Sequence, residues 1–184
     1  MSSIVPEVYP RRTAVHEQVE NLIRSRPEFH DLGTGGRRLA RDYFSGVLRA
    51  DESRWQAVLF QFFKDIEGYL FRNHAEALGR LGKNPKAVYQ EVGLGNKPQD
   101  QFTLLDLLQI CSRGLKGDNR FAGIDQNWHG LTSVRNAITH SRPESSDWGN
   151  MFDAILTHWT RLKSLISAIE TLTGQDFRGT YRGE

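Results

Sequence analysis

Residues 133–143 read SVRNAITHSRP, and within them Arg135, Asn136 and His140 are residue types that can act on a phosphodiester. RNA can be cut without a metal ion when its 2′-hydroxyl attacks the adjacent phosphorus. The reaction needs a base for the hydroxyl proton, an acid for the departing 5′-oxygen, and a cation for the charge that builds on the phosphoryl oxygens. Histidine titrates near neutrality and serves as acid or base. Arginine stays charged and grips phosphoryl oxygens with paired donors. Because the attacking group is the 2′-hydroxyl, DNA would be inert. The competing reading is three polar residues on a wetted helix face.

Spacing alone does not choose between them. With eighteen Arg and six His in the chain, similar spacings recur at Arg11–His16 and Arg24–His30, the second of which crosses Pro27 and so cannot share one regular helix. Helical context separates Arg135 from these. At about 100° per residue, Leu131, Val134 and Ile138 form one apolar stripe, and Arg135, Thr139, Asn136 and His140 fill the opposite arc. Asn136 and His140 are four apart, so the amide is placed to hold the imidazole. Pro143 disfavours helix in the residue before it, which leaves His140 in the last turn of a helix expected at His129–Ser141. Arg142, just beyond, is a candidate phosphate contact.

Arg135-Asn136-Ala137-Ile138-Thr139-His140 resembles the R-N-x3-H signature of HEPN domains (higher eukaryotes and prokaryotes nucleotide-binding). The resemblance spans roughly residues 53–173. It implies an all-α bundle of four or five helices. It also implies a metal-independent endoribonuclease of the kind found in toxin–antitoxin, abortive-infection and CRISPR-linked systems. Arg142 stands where one toxin branch carries a Tyr two residues after the His; Ser141-Arg142-Pro143 is closer to abortive-infection-type members. One motif supplies one His and one Arg, short of a full acid–base set. The resemblance implies a composite site, so a homodimer is expected in which Arg135 and His140 of both copies face a shared cleft. The catalytic set is then Arg135, Asn136 and His140, with RNA as substrate and an antitoxin or other defence-system protein as a partner. Two other readings stand beside it: a non-catalytic HEPN-like nucleotide- or RNA-binding or adaptor module, and a plain helical dimerisation protein.

The elements that must position these residues are helical. Ser53–Leu81 carries a broad apolar stripe through Trp55, Leu59, Phe62, Phe63, Ile66, Leu70 and Leu78, with a capping-box pair at Ser53 and Gln56 and Gly82 as its stop. Trp148–Thr173 repeats the pattern, with Asp147 as cap and Gly174 as stop. Thr103–Arg113 is apolar nearly all round, as a helix packed among others would be. Residues 82–101 and 114–127, rich in Gly, Asn, Asp and Pro, read as linkers. No convincing strand pattern or internal repeat appears. The expected architecture is a bundle of four principal helices over residues 51–184, preceded by a helical extension over residues 1–50 with helices at 13–26 and 37–49.

Composition narrows the classes. A chain of 184 residues, 38% hydrophobic and 25% charged, suits one folded domain with a sizeable core. A net charge of +2 is too mild for a histone-like binder. No apolar run approaches the roughly 20 residues of a membrane span and no signal core opens the chain, so a cytoplasmic protein with no membrane contact is expected. Cys111, alone, reads as a small core residue. The histidines lack metal-ligand spacing, so neither metal nor cofactor is expected. Gly33–Gly36 lacks the Gly-Lys-Ser/Thr ending of a phosphate loop. Asp65 and Glu67 read as solvated charge, Arg37, Arg38 and Arg41 as surface cations able to touch phosphates, and His74, Trp128 and His129 as structural.

Overall fold

The computed structural model describes residues 52–140 and 148–177. Residues 1–50, Arg37, Arg38, Arg41, Arg142, Pro143 and Asp147 lie outside the described residues. Within them the order is α1 (Glu52–Arg80), α2 (Pro85–Glu91), α3 (Leu104–Leu115), α4 (His129–His140) and α5 (Trp148–Thr173). Short 3-10 turns fall at Gln99–Gln101 and Asn119–Phe121. There is no strand among the described residues. The described residues are all-α.

The long helices begin and end close to where their apolar stripes do, with one correction. Ser53 is helical in α1, one residue inside its start, so it is not the N-cap that the Ser53/Gln56 pair implied. The end is as expected: Gly82 takes φ +69°, and Lys83 N–H donates back to the Leu78 carbonyl at 3.0 Å, closing a Schellman turn that only glycine enters without strain. Gly174, at φ +68°, ends α5.

The first expected linker is not all linker, since it contains α2. Asn84 accepts from Lys86 N–H at 3.0 Å and Pro85 occupies the first turn, where its missing N–H costs nothing. This short helix buries Val88 and Tyr89. The working capping box belongs to α3. Thr103 Oγ1 accepts from Asp106 N–H, and Asp106 Oδ2 accepts from Thr103 N–H at 2.8 Å. Lys97 donates to the same carboxylate oxygen. Burial alone would raise the Asp106 pKa; the hydrogen bonds from Lys97 and Thr103 outweigh it and hold the carboxyl below its ordinary value.

α1 is the central element. It packs against α3 and α5, while α4 lies against both α1 and α5 and α2 closes on α3. The core they share is aliphatic and aromatic: Phe63, Ile66 and Leu70 of α1, Leu107 and Leu108 of α3, Leu131 and Ile138 of α4, and Leu162 and Ile169 of α5. Cys111 belongs to this core, and burial pushes its thiol up to about 12, so it stays protonated. Where α1 crosses α3, Gly114 has no room for a side chain: a Cβ there would sit 2.1 Å from Leu78 Cδ2.

Polar groups enter this core in pairs. His74 is 3% exposed; its Nδ1 lies 2.9 Å from the Phe71 carbonyl and 3.1 Å from that of Leu70, and its Nε2 lies 2.8 Å from Tyr89 Oη. Carbonyls only accept, so Nδ1 carries the hydrogen and Nε2 accepts from the phenol. Burial lowers the pKa of this imidazole and keeps it neutral. Asp65 corrects the solvated reading: it is buried, and Gln61 Nε2 donates to it at 2.9 Å. Four residues before Tyr69, it shares that residue's inward face. No helix of the described residues is long and apolar enough to cross a membrane.

Candidate functional site

α4 positions the motif as its wheel requires. Leu131 and Ile138 are fully buried and Val134 packs against the core, so the helix cannot rotate about its axis without exposing them. Asn136 and His140 are exposed, and Arg135 and Thr139 are half-buried at the edge of the outward arc. His140 is the last residue of α4, five residues or about 7.5 Å along the axis from Arg135. Thr139 Oγ1 donates to the Arg135 carbonyl at 2.9 Å, one turn back.

The start of α4 is tied down by side chains. Asn127 Oδ1 accepts from His129 N–H at 3.2 Å, and the fully buried Trp128 donates from Nε1 to Ser112 Oγ at 3.2 Å. Arg161 of α5 lies over the Trp128 ring, 5.0 Å from its centroid, and its Nε is 2.7 Å from Asp125 Oδ2. Arg161 Nη1 stands 3.1 Å from His158 Nδ1. A guanidinium only donates, so His158 Nδ1 is the acceptor and the ring is neutral with its hydrogen on Nε2. Partial burial, then the Arg161 charge, lower the His158 pKa. That ring packs so close to α4 that a Cβ on Gly130 would lie 3.0 Å from it.

Around Arg135 the pairing differs from the sequence reading in two ways. Asn136 does not turn to His140: its Oδ1 accepts from Arg135 Nη1 at 3.1 Å. Residues adjacent in sequence stand about 100° apart on the wheel, and here the long Arg135 side chain folds across that gap to the amide. The second difference comes from α1. Glu67 Oε2 lies 4.0 Å from Arg135 Nη2, and Glu67 Oε1 accepts from Lys64 Nζ at 3.4 Å. Both Glu67 and Arg135 keep about a quarter of their side-chain surface in water. Lys64 also lies 5.8 Å from the Phe60 ring centroid.

The surface therefore holds a chain of charges, Lys64–Glu67–Arg135, with Asn136 on the far edge of the guanidinium and His140 a turn beyond. The sequence reading missed Glu67 and Lys64. Their only local signal was an i,i+3 charge pair, which most often marks a solvated face. Among the described residues, no group of three or more His, Cys, Asp or Glu comes together. Chemically, the arrangement offers one exposed imidazole and one guanidinium whose charge is partly answered by a carboxylate. That is a surface suited to an anion. Compared with protein-family models, curated proteins and solved structures, the chain matches none.

Proposed function

We propose that this chain is a HEPN-like, metal-independent endoribonuclease, built as a bundle of four principal helices and acting as a homodimer. The observation that carries the reading is the outward arc of α4: Arg135, Asn136 and His140 on one side, opposed by fully buried Leu131 and Ile138 on the other. The arc leaves the imidazole exposed and keeps the guanidinium within reach of the same surface.

In this reading two copies meet across a twofold axis through the α4 arcs. One His140 takes the proton from the 2′-hydroxyl as its oxygen bonds to phosphorus. The second copy's His140, protonated, gives its proton to the 5′-oxygen as the P–O bond breaks. Arg135 stabilises the charge on the non-bridging oxygens. The products are a 2′,3′-cyclic phosphate and a 5′-hydroxyl, and the two imidazoles end with their protonation states exchanged. Arg142 contacts the RNA backbone. Cutting of cellular RNA arrests growth, which suits a toxin or anti-phage effector held by an antitoxin or other defence-system protein.

The adaptor reading has one observation in its favour: Arg135 is already engaged by Asn136 and faces Glu67. One experiment separates the two. Purified protein is incubated with single-stranded RNA in excess EDTA, alongside His140→Ala and Arg135→Ala. The expected result is cleavage by the parent protein and a loss of roughly 10²–10⁴-fold in each variant, with helical content unchanged. Cutting that survives in both variants refutes the assignment. A parent that binds RNA and leaves it intact makes the chain an adaptor.

A further inference from the structure

We infer that the Glu67 carboxylate occupies the position an RNA phosphodiester takes at this surface, so that α1 contributes both an intramolecular competitor, Glu67, and a second phosphate-binding cation, Lys64. The inference rests on the reading of the α4 arc as an RNA site and specifies how that site engages its ligand. One carboxylate oxygen accepts from Lys64 Nζ at 3.4 Å and the other lies 4.0 Å from Arg135 Nη2. The two oxygens of one carboxylate thus bridge two cations that come from different helices. The non-bridging oxygens of a phosphodiester have a similar spacing and carry the same charge, so they fit the same two donors.

Neither ion pair is tight enough to be a permanent fixture. The Lys64 side chain is 45% exposed, and the Arg135–Glu67 gap lies at the outer limit of an ion pair. Pairs of this kind contribute little to stability and exchange readily with competing ions. Among the described residues of this chain of charges two cations share one anion, and displacing Glu67 into water leaves the Lys64 and Arg135 charges to phosphate. Asn136 remains on the other edge of the guanidinium and keeps it from swinging away. The consequence is selective: a lone small anion competes poorly with the built-in carboxylate, whereas a polyanionic strand gains from further phosphates and wins.

The test measures binding, apart from cleavage. A fluorescent 2′-O-methyl oligoribonucleotide, whose blocked hydroxyl prevents cutting, is titrated by anisotropy against the full chain over a range of salt. Glu67→Gln keeps the shape and removes the charge; it is expected to tighten binding about fivefold at low salt, with the gain shrinking as salt rises. Lys64→Gln is expected to weaken binding and to lower the slope of log affinity against log salt by about 0.7, the loss of one phosphate contact on a single strand. Circular dichroism of each variant establishes that the helices persist. Unchanged or weaker binding by Glu67→Gln overturns the inference, because Glu67 would then be steadying Arg135 without competing for its ligand. If Glu67→Gln binds this probe more tightly while the parent fails to cut unmodified RNA, the nuclease reading falls and this one stands. If the parent cuts RNA and Glu67→Gln binds no tighter, the reverse holds.

Discussion

Gly114→Ala sets two physical rules against each other, and the structure decides between them. Gly114 lies in the last turn of α3, where helix propensity favours alanine by up to about 1 kcal/mol. Propensity alone predicts a more stable protein. The crossing with α1 predicts the opposite. A Cβ at 114 would sit 2.1 Å from Leu78 Cδ2, while apolar carbons pack at about 3.5–4.0 Å, so the two must separate by roughly 1.5 Å. Leu78 is 2% exposed, inside the shared core, so its methyl yields only by pressing on packed neighbours. Overpacking of this kind costs about 1–3 kcal/mol, of which propensity returns at most about 1. The net expectation is destabilisation by up to about 2 kcal/mol, read as a lower urea midpoint at constant m-value. Leu78→Ala alone opens a cavity and costs about 2–5 kcal/mol. The pair Gly114→Ala/Leu78→Ala should then be less damaging than the sum, because the new methyl group enters the space the leucine left. Equal or greater stability of Gly114→Ala, or strict additivity of the pair, refutes the close-crossing argument.

Two further outcomes follow from the buried polar groups. Tyr89→Phe removes the hydroxyl that donates to His74 Nε2 at 2.8 Å and leaves a buried acceptor unmatched; urea unfolding should show a loss of about 1–3 kcal/mol, and a change under 0.5 kcal/mol would deny the bond its role. Acid should destabilise the fold starting near pH 6.5, because the pKa of His74 is lowered in the folded chain and the unfolded chain takes up the proton first. The sign is that stability is full above the unfolded value and declines as pH falls toward the folded one, by at most about 1.4 kcal/mol per pH unit for one proton. His158, also lowered but more open to solvent, adds less. Urea midpoints at pH 7.5 and 5.5 that coincide would contradict this.

How much of this was legible depends on the range of the interaction that made it. α1 and α5 were readable because their stripes repeat over many turns, and periodicity needs length to stand out from noise. α2, at seven residues, has too few turns to show a stripe, and its Gly- and Asn-rich flanks read as loop chemistry. Its Asn84-Pro85 start was nevertheless a usable signal. The capping box was sought at Ser53 and found at Thr103, where the partner is Asp106 in place of the usual Glu or Gln. The facing of Arg135, Asn136 and His140 could be worked out because one helix determines it. The Glu67–Arg135 approach joins residues far apart in the chain, and no local pattern encodes it. Which way Asn136 turns was read toward His140, its i,i+4 neighbour, whereas the long Arg135 side chain reaches across to it instead.

The fastening of α4 bears directly on what its outward arc can do. At its start, Trp128 is bonded to Ser112 and covered by Arg161, which Asp125 and His158 hold in turn. Along its inner side, Leu131 and Ile138 are sealed in the core. A helix held this way cannot rotate or slide to meet a ligand without breaking several buried contacts at once. The freedom left to the motif is therefore side-chain freedom: His140 at the exposed last residue, and Arg135 choosing among Asn136, Glu67 and an incoming anion. Site chemistry and site stability are thus separable in this fold. Substitutions at Glu67, Asn136 or His140 should move binding or cleavage and leave the unfolding midpoint nearly fixed, whereas substitutions at Trp128 or Arg161 should move both. If Glu67→Gln altered the unfolding free energy as much as it altered affinity, the motif would be part of the bundle's framework, and the case for an exchangeable anion at this surface would fail with it.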